Sequence, residues 1–185
     1  PEIEFNFFPK KSSIVSRHRV QIEPRFIYKT GRDGNEIVSE FSNIENQVEG
    51  SWNIQFNNTS NINISAEVND VLLLNDFDPT RVQEDDIFLT AGDRFQYSNF
   101  KFSYRSDQRK KFNFNLKTNF GQFYSGNRSS IGGSVTYRYQ PFGFISLDYN
   151  FNRITNLGDE FKDTDLWLLG PRIDITLTKK LFLTT

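Results

Sequence analysis

The stretch Phe112-Asn113-Phe114-Asn115-Leu116-Lys117-Thr118-Asn119-Phe120 decides how this chain is read. Phe112, Phe114, Leu116, Thr118 and Phe120 alternate with Asn113, Asn115, Lys117 and Asn119. A strand sends successive side chains to opposite faces, so this segment has one apolar face and one wholly polar face. Helical periodicity is weak along the whole chain, and the period of two is the signal to follow outward.

Downstream the pattern repeats. Ile131, Gly133, Val135, Tyr137 and Tyr139 alternate with Gly132, Ser134, Thr136 and Arg138. Ile145, Leu147, Tyr149 and Phe151 alternate with Ser146, Asp148, Asn150 and Asn152. Trp167, Leu169, Pro171, Ile173, Ile175 and Leu177 alternate with Gly170, Arg172, Asp174 and Thr176 over most of their length. Upstream, Val20, Ile22, Pro24, Phe26 and Tyr28 share a face, as do Val48, Gly50, Trp52, Ile54 and Phe56. Ile62, Ile64, Ala66 and Val68 oppose Asn63, Ser65, Glu67 and Asn69. Between 94 and 105 the phase slips, because Phe95 and Tyr97 are followed by Phe100, Phe102 and Tyr104. A β-bulge near Ser98-Asn99 would keep all five on one face. The count is roughly nine strands, the last cut short at 181–185.

Composition narrows the class. Only 36% of the 185 residues are hydrophobic, yet 16% are aromatic, with 20 Phe and 7 Tyr. Aromatic side chains suit pleated, half-buried surfaces. The 22 basic and 23 acidic residues leave a net charge of −1, so no overall basic field invites nucleic acid. No apolar run approaches the ~20 residues of a transmembrane helix. A membrane barrel is untouched by that exclusion, since its strands are only half apolar. With no cysteine there is no disulfide framework and no thiolate chemistry. The chain opens at Pro1 and ends mid-strand, and the reading is of a piece of a longer polypeptide.

Two all-β architectures fit: an antiparallel transmembrane β-barrel and a soluble β-sandwich binding module. The barrel is preferred on three grounds. The alternating runs reach ~10–14 residues, where soluble strands average ~5–6. Aromatics dominate the apolar face, and Tyr104, Tyr137, Tyr139 and Trp167 lie close to turns, as interfacial girdles do. The opposite face carries mixed charge suited to a polar lumen. Residues 1–185 then form part of a single barrel domain in the outer membrane of a Gram-negative bacterium. The lumen-facing set is Glu67, Lys101, Asn113, Asn115, Lys117, Arg138, Asp148, Arg172 and Asp174. The lipid-facing set is Phe112, Phe114, Leu116, Phe120, Val135, Tyr137, Tyr139, Leu147, Tyr149 and Trp167.

Connection lengths orient the barrel. Residues 58–61 and 106–110 read as short, 140–143 and 178–179 as tight, 125–130 as medium, and 74–92 and 155–163 as long. Outer-membrane barrels have short periplasmic turns and longer exterior loops, which puts the long set outside. Residues 31–35 are then an exterior turn by parity. Residues 36–57 read as one very long strand whose first half (Glu40, Ser42, Asn46) stands above the lipid, since a crossing needs only ~9–11 residues.

Chemistry is sparse. His18, the only histidine, sits between Arg17 and Arg19, a poor setting for a metal ligand, and reads as a surface or lumen residue. Glu84-Asp85-Asp86, with Asp76 and Asp78, offers carboxylates without calcium-loop spacing and reads as a solvated loop. Arg109-Lys110-Lys111 reads as a charged turn. Residues 121–126 hold two glycines without the strand-to-helix context of a phosphate loop. No catalytic, cofactor-binding or metal residue is nominated, and no enzyme activity is expected of this segment.

Several motifs carry a resemblance. They are Tyr104-Arg105-Ser106-Asp107-Gln108-Arg109, Phe120-Gly121-Gln122-Phe123-Tyr124-Ser125-Gly126-Asn127-Arg128, Gly170-Pro171-Arg172-Ile173 and Lys180-Leu181-Phe182-Leu183. From about Val20 onward the chain resembles the C-terminal barrel of Bacteroidota-type outer-membrane proteins of unknown function, in which a family-9-type carbohydrate-binding domain often precedes the barrel. The motifs are turn and strand signatures, so the resemblance implies a fold and assigns no functional residue. The expected roles are a pore, membrane anchor or scaffold subunit of a surface complex, or an anchor for surface glycan binding or processing. The expected partners are membrane lipid, other outer-membrane or surface proteins, and glycan through an upstream domain.

Overall fold

The computed structural model describes residues 2–33, 36–80, 88–178 and 181–184. Ten strands follow one another: β1 (Ile3–Phe7), β2 (Val15–Asp33), β3 (Glu36–Phe56), β4 (Asn61–Leu72), β5 (Arg94–Arg105), β6 (Phe112–Phe123), β7 (Gly126–Tyr139), β8 (Gly143–Thr155), β9 (Thr164–Thr178) and β10 (Leu181–Thr184). They form one antiparallel sheet in strict sequence order, so every connection joins immediate neighbours. No helix interrupts the described residues. No ladder joins β1 to β10 among them either, so the described sheet is open. Nine strands are those the alternation marks, and β1 is an addition.

The register fixes the two faces. One row runs Val20–Trp52–Ile64–Phe102–Thr118–Ile131–Phe151–Trp167 across β2 to β9. The adjacent row runs Gln21–Ser51–Ser65–Lys101–Asn119–Ser130–Asn152–Leu166. Paired residues share a face, so apolar and polar residues are segregated through the middle of the sheet. Leu166 and Leu168 are the exceptions on β9, standing on the polar face with Asn152 and Asn150.

Two expectations change. The β4–β5 ladder is continuous from Asn61↔Arg105 to Leu72↔Arg94, with no bulge at Ser98-Asn99. Phe95 and Tyr97 therefore point to the polar face, while Phe100, Phe102 and Tyr104 stay on the apolar one. The anticipated 125–130 connection also shrinks to Tyr124-Ser125, because β7 already starts at Gly126. The polar run Asn127-Arg128-Ser129-Ser130 is strand, paired along β6 and β8.

The sheet has two distinct rims. The short-turn rim carries residues 8–14, 57–60, 106–111 and 140–142. The loop rim carries 73–93, 124–125 and 156–163. At the loop rim β2 and β3 run on as a two-stranded ribbon, since β4 pairs with β3 only from Glu45 onward. The long strand expected from residue 36 is present.

Candidate functional site

Exposure on the two faces is inverted relative to a water-soluble domain. On the apolar face Trp167 is 70% exposed, Leu169 61% and Phe112 55%. On the polar face Glu67 and Asn99 are 7% exposed and Asn113 is 3%. A single layer buries one face without a second layer only by curving toward it. The polar face is accordingly concave, forming a trough of about 640 Å³ lined from β3 to β8 by residues such as Glu49, Ser65, Lys101, Asn115, Ser130 and Asp148.

The ladders place Glu67, Lys101, Asn113, Asn115, Lys117, Arg138, Asp148, Arg172 and Asp174 all on this concave face. Phe112, Phe114, Leu116, Phe120, Val135, Tyr137, Tyr139, Leu147, Tyr149 and Trp167 all fall on the convex one. Lys101 stands between two carboxylates, in contact with Glu67 and 3.7 Å from Glu49. Gln47 donates its Nε2–H to Glu67 Oε2 at 2.9 Å, which satisfies a second lone pair of that buried carboxylate. Nearer the short-turn rim Arg172 pairs with Asp174 at 2.9 Å. Asn115 donates to Ser134 across the β6–β7 ladder. The Oδ1 atoms of Asn99 and Asn119 are buried and accept no hydrogen bond from the described residues. Lys101 and Arg172 are thus paired within the concave face, while Lys117 and Asp148 line the trough without an ion-pair partner among the described residues, with amides and hydroxyls between them.

The same face changes character toward the loop rim. Phe95, Tyr97 and Phe123 stand there, and Tyr124 from the β6–β7 turn packs on all three at 4.9–5.5 Å between ring centroids. Phe77 of the 73–93 loop adds its ring at 5.5 Å, and Arg128 lies 4.2 Å over Phe123. Burial raises the Tyr124 phenol above its ordinary value, opposed by the nearby Arg128 charge. The buried leucines and isoleucine among the described residues are Leu73, Leu89, Ile154 and Leu157, all at this rim. Phe77 and Leu89 bridge within their loop, and Ser125 Oγ donates to Leu157 O at 2.6 Å, linking the turn to the 156–163 loop. Sequence reading missed this cluster. The out-of-phase Phe95 and Tyr97 were its trace, and the sequence did not show which loop would meet them.

The short-turn rim is knitted by polar contacts. Asp107 accepts from Thr59 Oγ1 and from the Arg109 backbone N–H, both at 3.0 Å, and takes a two-pronged contact from the Arg109 guanidinium. Those partners, Arg109 first, hold the Asp107 carboxyl well below the usual carboxylate range, and Asp107 raises Arg109 in turn. Arg109 also donates to Asn58 O at 3.1 Å, so it is committed to structure.

Other candidates resolve simply. His18 lies on the convex face, 5.8 Å from the Trp52 ring and 6.1 Å from Phe7, and so is outside the trough. Asp76 accepts from the Ala91 N–H and Asp78 caps Thr80, while Glu84, Asp85 and Asp86 lie outside the described residues. Among the described residues no group of three His, Cys, Asp or Glu side chains is placed to hold a metal ion. No described helix is long and apolar enough to cross a membrane. No family model, curated protein or solved structure matches the chain.

Proposed function

We propose that this sheet is part of an outer-membrane β-barrel, with its convex face against lipid and its concave face lining the lumen. Its role is that of a pore, membrane anchor or scaffold subunit. One observation carries the reading: a broad apolar face stands bare while polar side chains are buried. In water such a sheet lacks the second layer that a stable domain needs. In a bilayer lipid supplies the cover. The apolar runs Phe112–Phe120, Ile131–Tyr139 and Trp167–Ile175 each span nine residues. At ~3.3 Å per residue and a tilt of ~40° they cover roughly 23 Å, close to the ~25 Å apolar band of such barrels.

Unpaired backbone groups are prohibitively costly in hydrocarbon, so the β1 and β10 edges need ladder partners there, in each other or in further strands. The two strands run in opposite directions, and either arrangement keeps neighbours antiparallel. The internal pairing of Lys101 with Glu67 and of Arg172 with Asp174 leaves little net field in the lumen. An open pore would then discriminate weakly between cations and anions, and a conductance strongly selective for one sign would count against it.

Expression in a Gram-negative envelope, followed by fractionation, tests the proposal. The chain should reach the outer membrane, require detergent for extraction and change gel mobility when heated. Recovery in the soluble fraction would defeat it in favour of a soluble module whose convex face is covered by protein.

A further inference from the structure

The topology separates charge between the rims. On the loop rim the described residues of the 73–93 and 156–163 connections include Asp76, Asp78, Asp93, Asp159, Glu160 and Asp163 against Lys162 as their one basic residue. On the short-turn rim the four described connections hold Lys10, Lys11, Arg109, Lys110 and Lys111 against Asp107 alone. Asp107 is taken up by Arg109. Lys10, Lys11, Lys110 and Lys111 remain, exposed and without an ion-pair partner among the described residues.

These lysines sit on a continuous rim. Asn57 N–H donates to Ile14 O at 2.9 Å, which ties the 8–14 connection to the 57–60 turn. Thr59–Asp107 and Arg109–Asn58 tie that turn to 106–111. Arg138 donates to Lys111 O and Gln108 O, both at 2.8 Å, and extends the rim to β7. Directly beside it stand exposed Phe8, Phe112, Tyr137, Tyr139 and Phe142, with Tyr139 stacked on Phe142 at 5.4 Å. Aromatic rings at headgroup depth with lysine ammonium groups just beyond them is the arrangement that meets a phosphate-bearing membrane surface.

We infer that the short-turn rim binds anionic phospholipid headgroups, with Lys10, Lys11, Lys110 and Lys111 as the phosphate contacts. The inference rests on the reading of the convex face as lipid-facing. The selectivity comes from the four lysines and not from the network beneath them. Glutamine at those positions removes the lipid preference and leaves the fold intact. Arginine keeps the preference.

The test uses the full chain in phosphatidylcholine vesicles carrying a trace of spin-labelled phosphatidylglycerol or spin-labelled phosphatidylcholine. The readout is the motionally restricted lipid fraction. At low salt the protein should restrict phosphatidylglycerol about threefold to fivefold more strongly than phosphatidylcholine, and the excess should fade at ~0.5 M salt. The combined Lys10→Gln, Lys11→Gln, Lys110→Gln and Lys111→Gln variant should restrict both lipids equally. Asp159→Asn with Glu160→Gln on the loop rim should keep the excess. Parity in the unmodified chain at low salt, or an excess that survives the glutamine set, overturns the inference while leaving the lipid-facing reading standing. Absence of restricted lipid of either kind removes both.

Discussion

Leu157 and Leu169 are the same residue type in opposite surroundings. Leu157 is 4% exposed at the loop rim, where Leu73, Leu89 and Ile154 are buried as well and five aromatic rings cluster. Leu169 is 61% exposed in the middle of the convex face. The loop rim is built like the start of a water-soluble core, with loops folded over the concave face. On the convex face the described chain provides no cover. The difference separates apolar burial that the polypeptide makes for itself from apolar surface left to a second medium.

The largest expected effect breaks the loop-rim side of that comparison. Ile154→Ala or Leu157→Ala removes buried methyl groups from a site that can collapse only partly, at about 2–5 kcal/mol. Urea unfolding should show the loss in detergent micelles as well as in vesicles. Next comes the convex face. Leu169→Arg should cost about 2–4 kcal/mol in vesicles if the position lies at the bilayer midplane. A residue this exposed to water would change stability by no more than ~0.5 kcal/mol, so the same unfolding experiment separates the two media.

A smaller effect is expected in the trough. Lys101→Met leaves Glu67 and Glu49 facing each other without their cation. The lysine is more than a third exposed, so the loss should be about 1 kcal/mol. It should vanish when Glu67→Gln is added, a cycle read from unfolding midpoints. The smallest concerns Asp107→Asn on the short-turn rim. A carboxyl whose folded pKa is depressed contributes stability above its unfolded value of ~4, and loses it as pH falls through the folded value. The variant should therefore unfold slightly earlier than the unmodified chain at neutral pH. The gap should close as the medium is acidified below ~4.

The sequence made the convex face legible because the alternation recurs from strand to strand, over nine residues in 112–120, 131–139 and 167–175. It misled where the strands rise beyond that band. Between Asn127 and Ser130 both faces are polar, so nothing marks the residues as strand. Around Phe95 and Tyr97 the aromatics change faces, because Tyr124, itself packed on Phe77, gives them a partner on the concave side. A single period cannot distinguish an aromatic that meets loop rings from one on the convex face. β1 left a readable trace, since Ile3, Phe5 and Phe7 alternate with Glu4 and Asn6. Its five residues made too short a run to stand alone. The contacts of Lys101 with Glu67 and Glu49 needed the register of three strands together.

The most direct test returns to Phe112–Phe120. The chain has no native cysteine, so a single cysteine can be placed at each position in turn and spin-labelled in the reconstituted protein. Collision with oxygen reports lipid, and collision with a water-soluble nickel chelate reports water. The account predicts a period of two, with oxygen dominant at 112, 114, 116, 118 and 120 and nickel dominant at 113, 115, 117 and 119. Water access at both sets, or exclusion of both reagents from the even positions, would contradict a lipid-facing sheet.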